Sequence, residues 1–139
     1  MDETGRFDTK AVVVLRDDLA AWQELNVTAF LAVGIASDPE LIGEPYRDAD
    51  GTAYLPLLRQ PVLVFAAERE LLSTIRERAV SRGLRVAVYT TEMFSTMNDD
   101  DNRAAVRAVP AAELDLVGLG IHGPRNAVDR TVKGARLHH

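Results

Sequence analysis

Lys10 to Leu15, KAVVVL, is a β-branched run with no polar alternation, the pattern of a strand buried on both faces of a sheet. The period changes within RDDLAAWQELNVTAF, residues 16 to 30. Val27, Phe30, Leu31 and Gly34 recur at i, i+3, i+4 and i+7, so the spacing predicts a helix laying one face on that strand. The alternation then repeats. PVLVFAA from Pro61 reads as a second buried strand with proline at its entrance, where a missing N–H is tolerated. Leu71, Leu72, Ile75 and Ala79 give a second amphipathic helix that Gly83 stops. LRVAVYT from Leu84 is the third strand, LDLVGLGI from Leu114 the last, and RNAVDRTVKG the last helix. Strands alternating with helices predict an α/β layered sandwich around a short sheet.

Between these elements the turn chemistry is local. SDPE, Ser37 to Glu40, has a capping-box arrangement with proline in the first turn and predicts a short extra helix. Asp50-Gly51 before TAYLPLL reads as a hairpin tip. Thr90 or Thr91 can cap a short helix through EMF, and NDDDN, Asn98 to Asn102, supplies a cap and first-turn acids for another. With 139 residues, 47% of them hydrophobic, and no repeat or long linker, the expectation is one domain over 1–139 with its core at about 10–137.

Several function classes are excluded or disfavoured. No run of about 18 apolar residues is present, and the acidic opening MDETGRFD lacks the basic start of a signal peptide, so a cytoplasmic protein without membrane contact is expected. Zero cysteines remove disulfides, thiol nucleophiles and cysteine-zinc sites. A net charge of -5 argues against a nucleic-acid-gripping surface. Its distribution is uneven: Arg125, Arg130, Lys133 and Arg136 face only Asp129 after residue 121, an arrangement that suits a solvated helix end or a local anion site.

The motifs mostly have structural readings. GLGIHG, Gly118 to Gly123, matches G-x-G-x-x-G but leaves no room for the second strand and distant acid of a dinucleotide site, so its glycines are read as permitting close backbone packing or a ligand's approach. Aligning Asp48-Ala49-Asp50-Gly51 to a calcium loop puts Leu57 where the bidentate glutamate belongs. The NDDDN acids are explained by capping, so no metal and no cofactor is expected. His122 stands apart from the terminal His138 and His139, which sit where chains commonly fray, so a multi-histidine centre is ruled out. Neither a G-x-S-x-G elbow nor a P-loop occurs. Asp17 and Asp18 fall at the carboxyl end of the first strand, where open α/β sheets place ligands, and one of them can serve as a local cap. Trp22 is a core or interface anchor or a stacking platform, and Asn26 and Thr28 are the polar positions nearest the first turn of the first helix.

KAVVVLRDDL, a helix near NVTAFLA, the strand GLRVAVYT and the ending LVGLGIHGPRNAVDRTVKGARL together resemble the peptidyl-tRNA hydrolase II fold. More closely, the chain resembles the bacterial relatives grouped as domain-of-unknown-function family 2000, from about Lys10 to Leu137. The best-matching segments are RDDL with NVTAFLA, YTTEMF, and the ending Gly123, Pro124, Val128, Asp129 and Gly134. The resemblance implies a three-layer α/β/α sandwich on a four-stranded mixed sheet, its last strand running against the others. The hydrolases carry a lysine at the start of the first helix, a glutamine after it and an aspartate past the third strand. Those positions fall here at Leu25 or Asn26, at Phe30 or its neighbour, and at Thr90 or Thr91, and none matches. The lysine would bind tRNA phosphate or stabilise an oxyanion, contributions of several kcal/mol that leucine or asparagine cannot supply.

Two functional readings follow. The first is a scaffold that binds an unknown small molecule or protein partner at the carboxyl edge of the sheet, lined by Asp18, Asn26, Thr28, Arg59, Tyr89, Thr91, Glu92, Asn102 and His122. The second is a divergent peptidyl-tRNA or related ester hydrolase, with catalytic candidates among Asp18, Asn26, Thr28, Thr91 and Glu92. Asp18 or Glu92 would be the base, Asn26 or Thr28 the oxyanion donor, and Arg125, Arg130 and Lys133 the tRNA phosphate contacts. Edge strands and the PLLRQP segment are the candidate contacts of a homodimer.

Overall fold

The computed structural model describes residues 7–139; the first six residues, and with them most of the MDETGRFD opening, lie outside the described part. The chain begins with β1 (Thr9–Arg16) and α1 (Ala21–Ile35), then a 3-10 turn at Pro39–Leu41. A small hairpin, β2 (Tyr46–Arg47) and β3 (Ala53–Tyr54), precedes β4 (Val62–Ala67) and α2 (Arg69–Ser81). After β5 (Arg85–Thr90) come a 3-10 turn at Thr91–Phe94 and α3 (Asp99–Arg107), then β6 (Leu116–Pro124), α4 (Arg125–Thr131) and β7 (Arg136–Leu137). No helix of the described residues is long and apolar enough to cross a membrane.

The main sheet has the order β5-β6-β1-β4-β7. β1 and β4 run parallel, while β6 runs antiparallel to both of its neighbours, β1 and β5. The unbroken KAVVVL run is thereby explained. Val12 and Val14 face one core layer with Leu72, Ile75 and Val128 of α2 and α4; Ala11, Val13 and Leu15 face the other, with Val27, Leu31 and Ile35 of α1. A strand central in the sheet and covered on both sides needs apolar residues at every position.

Three local expectations are revised. The sheet has five strands rather than four, because Arg136–Leu137 adds antiparallel to Phe65 and Ala66, and the His138 N–H continues the pairing to the Val64 carbonyl at 2.9 Å. Two exposed residues carry no periodicity by which to find such a strand. The end of the chain is therefore tied to the sheet, and the His138 ring meets Glu24 of α1. Phe30 is not part of the buried face of α1: it is 56% exposed, and Ile35 completes the stripe begun by Val27 and Leu31. The cap of the SDPE turn is Asp38, which accepts from the Glu40 N–H, rather than Ser37.

Gly118 governs how closely α1 approaches the sheet. A Cβ there would stand 2.7 Å from Val27 Cγ1 and 2.9 Å from Leu31 Cδ1, so the helix lies where any side chain would be. This is the close-packing role expected of GLGIHG. Gly83, at φ +69°, ends α2 in the left-handed conformation that glycine adopts without penalty.

Candidate functional site

β1, β4 and β5 share one carboxyl edge, and β6 starts there because it runs the other way. Arg16 closes β1 at this edge. Its guanidinium holds Asp18 at 2.6 Å and Asp115 at 3.2 Å and donates to the Leu116 carbonyl; Arg69 adds a second bond to Asp115 at 2.6 Å. Asp17 turns instead to Arg136 of β7, as adjacent residues on extended backbone must diverge. Neither aspartate caps α1: the Gln23 carboxamide accepts the Ala20 N–H there. The hydrogen bond from Arg16 holds the Asp18 carboxyl below its ordinary pKa, against a smaller opposing effect of burial, which makes it a weaker base. A guanidinium thus reaches this edge, but two carboxylates already occupy it.

Beyond Asp18 the edge is aromatic. Trp22 packs edge-on against Phe94, Phe94 tilts against Tyr89 at 5.2 Å, and Phe30 meets Tyr89 edge-on at 5.8 Å. Trp22 is 62% exposed, a surface platform rather than a core anchor. Tyr89 is buried, and burial raises its pKa, so the phenol stays protonated; its oxygen accepts from the Asn26 amide at 3.3 Å, leaving its own proton free to donate.

Next to Tyr89 an open cleft of about 430 Å³ runs along the outer side of β5. Its floor is Ala87, Val88 and Tyr89, one wall is Phe30 and Leu31 of α1, and Met93 closes an end. The far wall is α3, through Asn102, Val106, Arg107, Arg103 and Asp99. α3 buries no residue of its own. Its cap is Asn98, which accepts from the Asp101 N–H at 2.8 Å, and Asp99 and Asp100 both hold Arg103. These acids start a helix, as the sequence reading expected, and the helix stands off the sheet, leaving the gap.

The expected site residues therefore separate. Asn26, Tyr89 and Asn102 come together at or beside the cleft, with Thr91 and Glu92 in the turn at its end, where the Thr91 N–H bonds the Asp115 carbonyl. Asn102 lines the cleft while its side chain bonds Thr96. Thr28, one turn on from Glu24, lies on the flank of α1 that faces the chain end rather than the cleft. Arg59 is exposed in the loop that enters β4, and its N–H bonds the Leu41 carbonyl at the opposite edge. His122 also belongs to that edge, because β6 is antiparallel: it pairs with Ala11 and Arg85 at the strand starts. α4, with Arg125 and Arg130 and followed by Lys133, begins at that same edge. Phe30, Met93, Arg103, Val106 and Arg107 were absent from the sequence-derived site, since nothing in NDDDNRAAVR says which strand its helix will flank.

His122 gives a testable consequence. It is 8% exposed and its Nε2 has no hydrogen-bond partner among the described residues. Burial lowers its pKa from the ordinary 6.5, helped by the charge of Arg85 and opposed by Asp38. The folded protein therefore holds His122 neutral where the unfolded chain is protonated. Its contribution to stability is complete above 6.5 and is lost as pH falls from there through the lowered value. Urea midpoints measured between pH 7.5 and 5 should fall more steeply for the native protein than for His122→Gln; equal slopes would show that the ring does not titrate as described.

A family model described as a protein of unknown function (DUF2000) matches residues 9–139. Among solved structures, that of a protein of unknown function from Agrobacterium tumefaciens is similar at 45% identity and a TM-score of 0.93, covering 96% of this chain and 100% of that one. No curated protein matches the chain.

Proposed function

This chain belongs to the DUF2000 family of proteins of unknown function, and we propose that it is a binding protein whose site is the cleft between α1, β5 and α3. The scaffold is read as that of peptidyl-tRNA hydrolase II with its reaction lost. The observation that carries the reading is the cleft itself: about 430 Å³, open and predominantly apolar, with a neutral phenol at one end and guanidinium groups on its rim. Such a site suits the apolar part of a small molecule or of a protein partner, with an acidic group toward Arg107. Leu25, at one of the two positions where a catalytic lysine would fall, is 74% exposed, and Asn26, at the other, is engaged with Tyr89. Asp18, the candidate base, is held by the Arg16 guanidinium at 2.6 Å, which lowers its pKa and makes it a weaker base, and the cations suggested for tRNA phosphate begin at the other edge.

Two assays test this together. Fluorescence titration with 1-anilinonaphthalene-8-sulfonate, a flat apolar anion, should saturate at one site per chain, and a peptidyl-tRNA mimic should show no turnover above the blank. Turnover that disappears in Asn26→Ala and in Asp18→Asn would install the ester hydrolase in its place.

A further inference from the structure

We infer that the cleft receives an extended segment of a partner protein, which adds as a strand to the outer edge of β5 and directs an acidic side chain to Arg107. This rests on the cleft being the binding site proposed above and names its occupant. Ala87, Val88 and Tyr89 are consecutive, and side chains of consecutive strand residues point to opposite faces. All three can line one cleft only if it runs along the edge of the strand, where main-chain groups project.

Among the described residues β5 is the last strand of the sheet on that side, paired with β6 alone. In an antiparallel pair every other residue turns both its N–H and its C=O away from the partner. Among the described residues no hydrogen bond reaches the outward groups of Val86 to Tyr89. At the other end of the sheet the chain completes the edge itself, with Arg136–Leu137 added to β4. Among the described residues nothing equivalent covers β5: α3 flanks it without burying a residue. An open row of donors and acceptors between apolar walls is the arrangement that strand addition uses, main-chain bonds supplying affinity and alternate side-chain pockets supplying selectivity.

Charge selects the kind of segment. Arg103 is taken by Asp99 and Asp100, whereas Arg107 has no carboxylate partner among the described residues. At roughly 3.4 Å per residue, the three floor residues match about three residues of an incoming strand, enough for an apolar side chain over Met93 and Phe30 beside an acidic one.

The test is selection of a random heptapeptide phage library on the full chain, followed by synthesis of the peptides that emerge. The expected consensus alternates apolar residues and contains an acid. Binding should slow amide exchange within Val86 to Tyr89, weaken at least tenfold in Arg107→Glu, and weaken at least tenfold when alternate peptide amides are N-methylated, which removes donors and keeps side chains. N-methylated peptides that bind equally well would overturn strand addition. So would failure to enrich any peptide while anilinonaphthalene sulfonate still saturates the cleft, a result that leaves the binding reading standing. If neither peptide nor dye binds, both fall.

Discussion

Gly118→Val should lower the melting temperature by about 8 °C. The new Cβ would meet Val27 Cγ1 at 2.7 Å and Leu31 Cδ1 at 2.9 Å, and both of those side chains are fully buried, with nowhere to turn. α1 must then lift from β6, at a cost toward the upper end of the ~1–3 kcal/mol that overpacking carries. Valine recovers some of this by restricting the unfolded chain, roughly 0.5–1 kcal/mol. The net loss is about 2 kcal/mol, and at this chain length each kcal/mol is worth roughly 4 °C. Gly118→Ala should fall part of the way. A melting temperature for the valine variant within about 2 °C of native would show that α1 is not seated on the glycine, and the placement of Phe30 and Leu31 along the cleft would lose its support.

Val106→Trp should abolish most binding without touching stability. Val106 lines the cleft from α3, a helix with no buried residue, so an indole there fills the gap rather than a core. A ligand denied roughly 100 Å² of apolar contact loses about 2.5 kcal/mol at ~25 cal/mol/Å², or roughly 70-fold in affinity. Urea unfolding should move by no more than about 0.5 kcal/mol, as for other surface substitutions. Unchanged affinity for anilinonaphthalene sulfonate would place its site elsewhere; a large loss of stability would mean that α3 is part of the core after all.

What the sequence disclosed divides along physical lines. Strands buried on both faces write themselves as near-continuous apolar runs, so KAVVVL and the LVGLGI part of LDLVGLGI are legible, and Leu72, Ile75 and Ala79 mark the face of α2 that is in fact buried. The Asn98 cap is legible in NDDDN, but local pattern misplaces others: the SDPE turn is capped by Asp38 rather than Ser37, and α1 begins at Ala20 with help from Gln23 while Asp17 and Asp18 serve arginines. β7 was invisible because its two residues gain their strand character wholly from β4. Of the proposed cleft, only part is legible in the sequence. Tyr89, Asn26 and Asn102 are legible as polar groups near strand ends, whereas His122, expected at the carboxyl edge, lies at the opposite one because β6 runs antiparallel to β1 and β5. The α3 wall depends on a tertiary relation, a helix standing beside an edge strand, that no local pattern encodes.

The most direct test of the central claim is an amide chemical-shift map of the uniformly ¹⁵N-labelled chain titrated with anilinonaphthalene sulfonate. The account predicts that the shifts concentrate at Ala87 to Met93 and Asn102 to Arg107. Shifts concentrated instead around Arg85 and His122 at the opposite edge, or a saturating titration that leaves β5 and α3 unmoved, would contradict it.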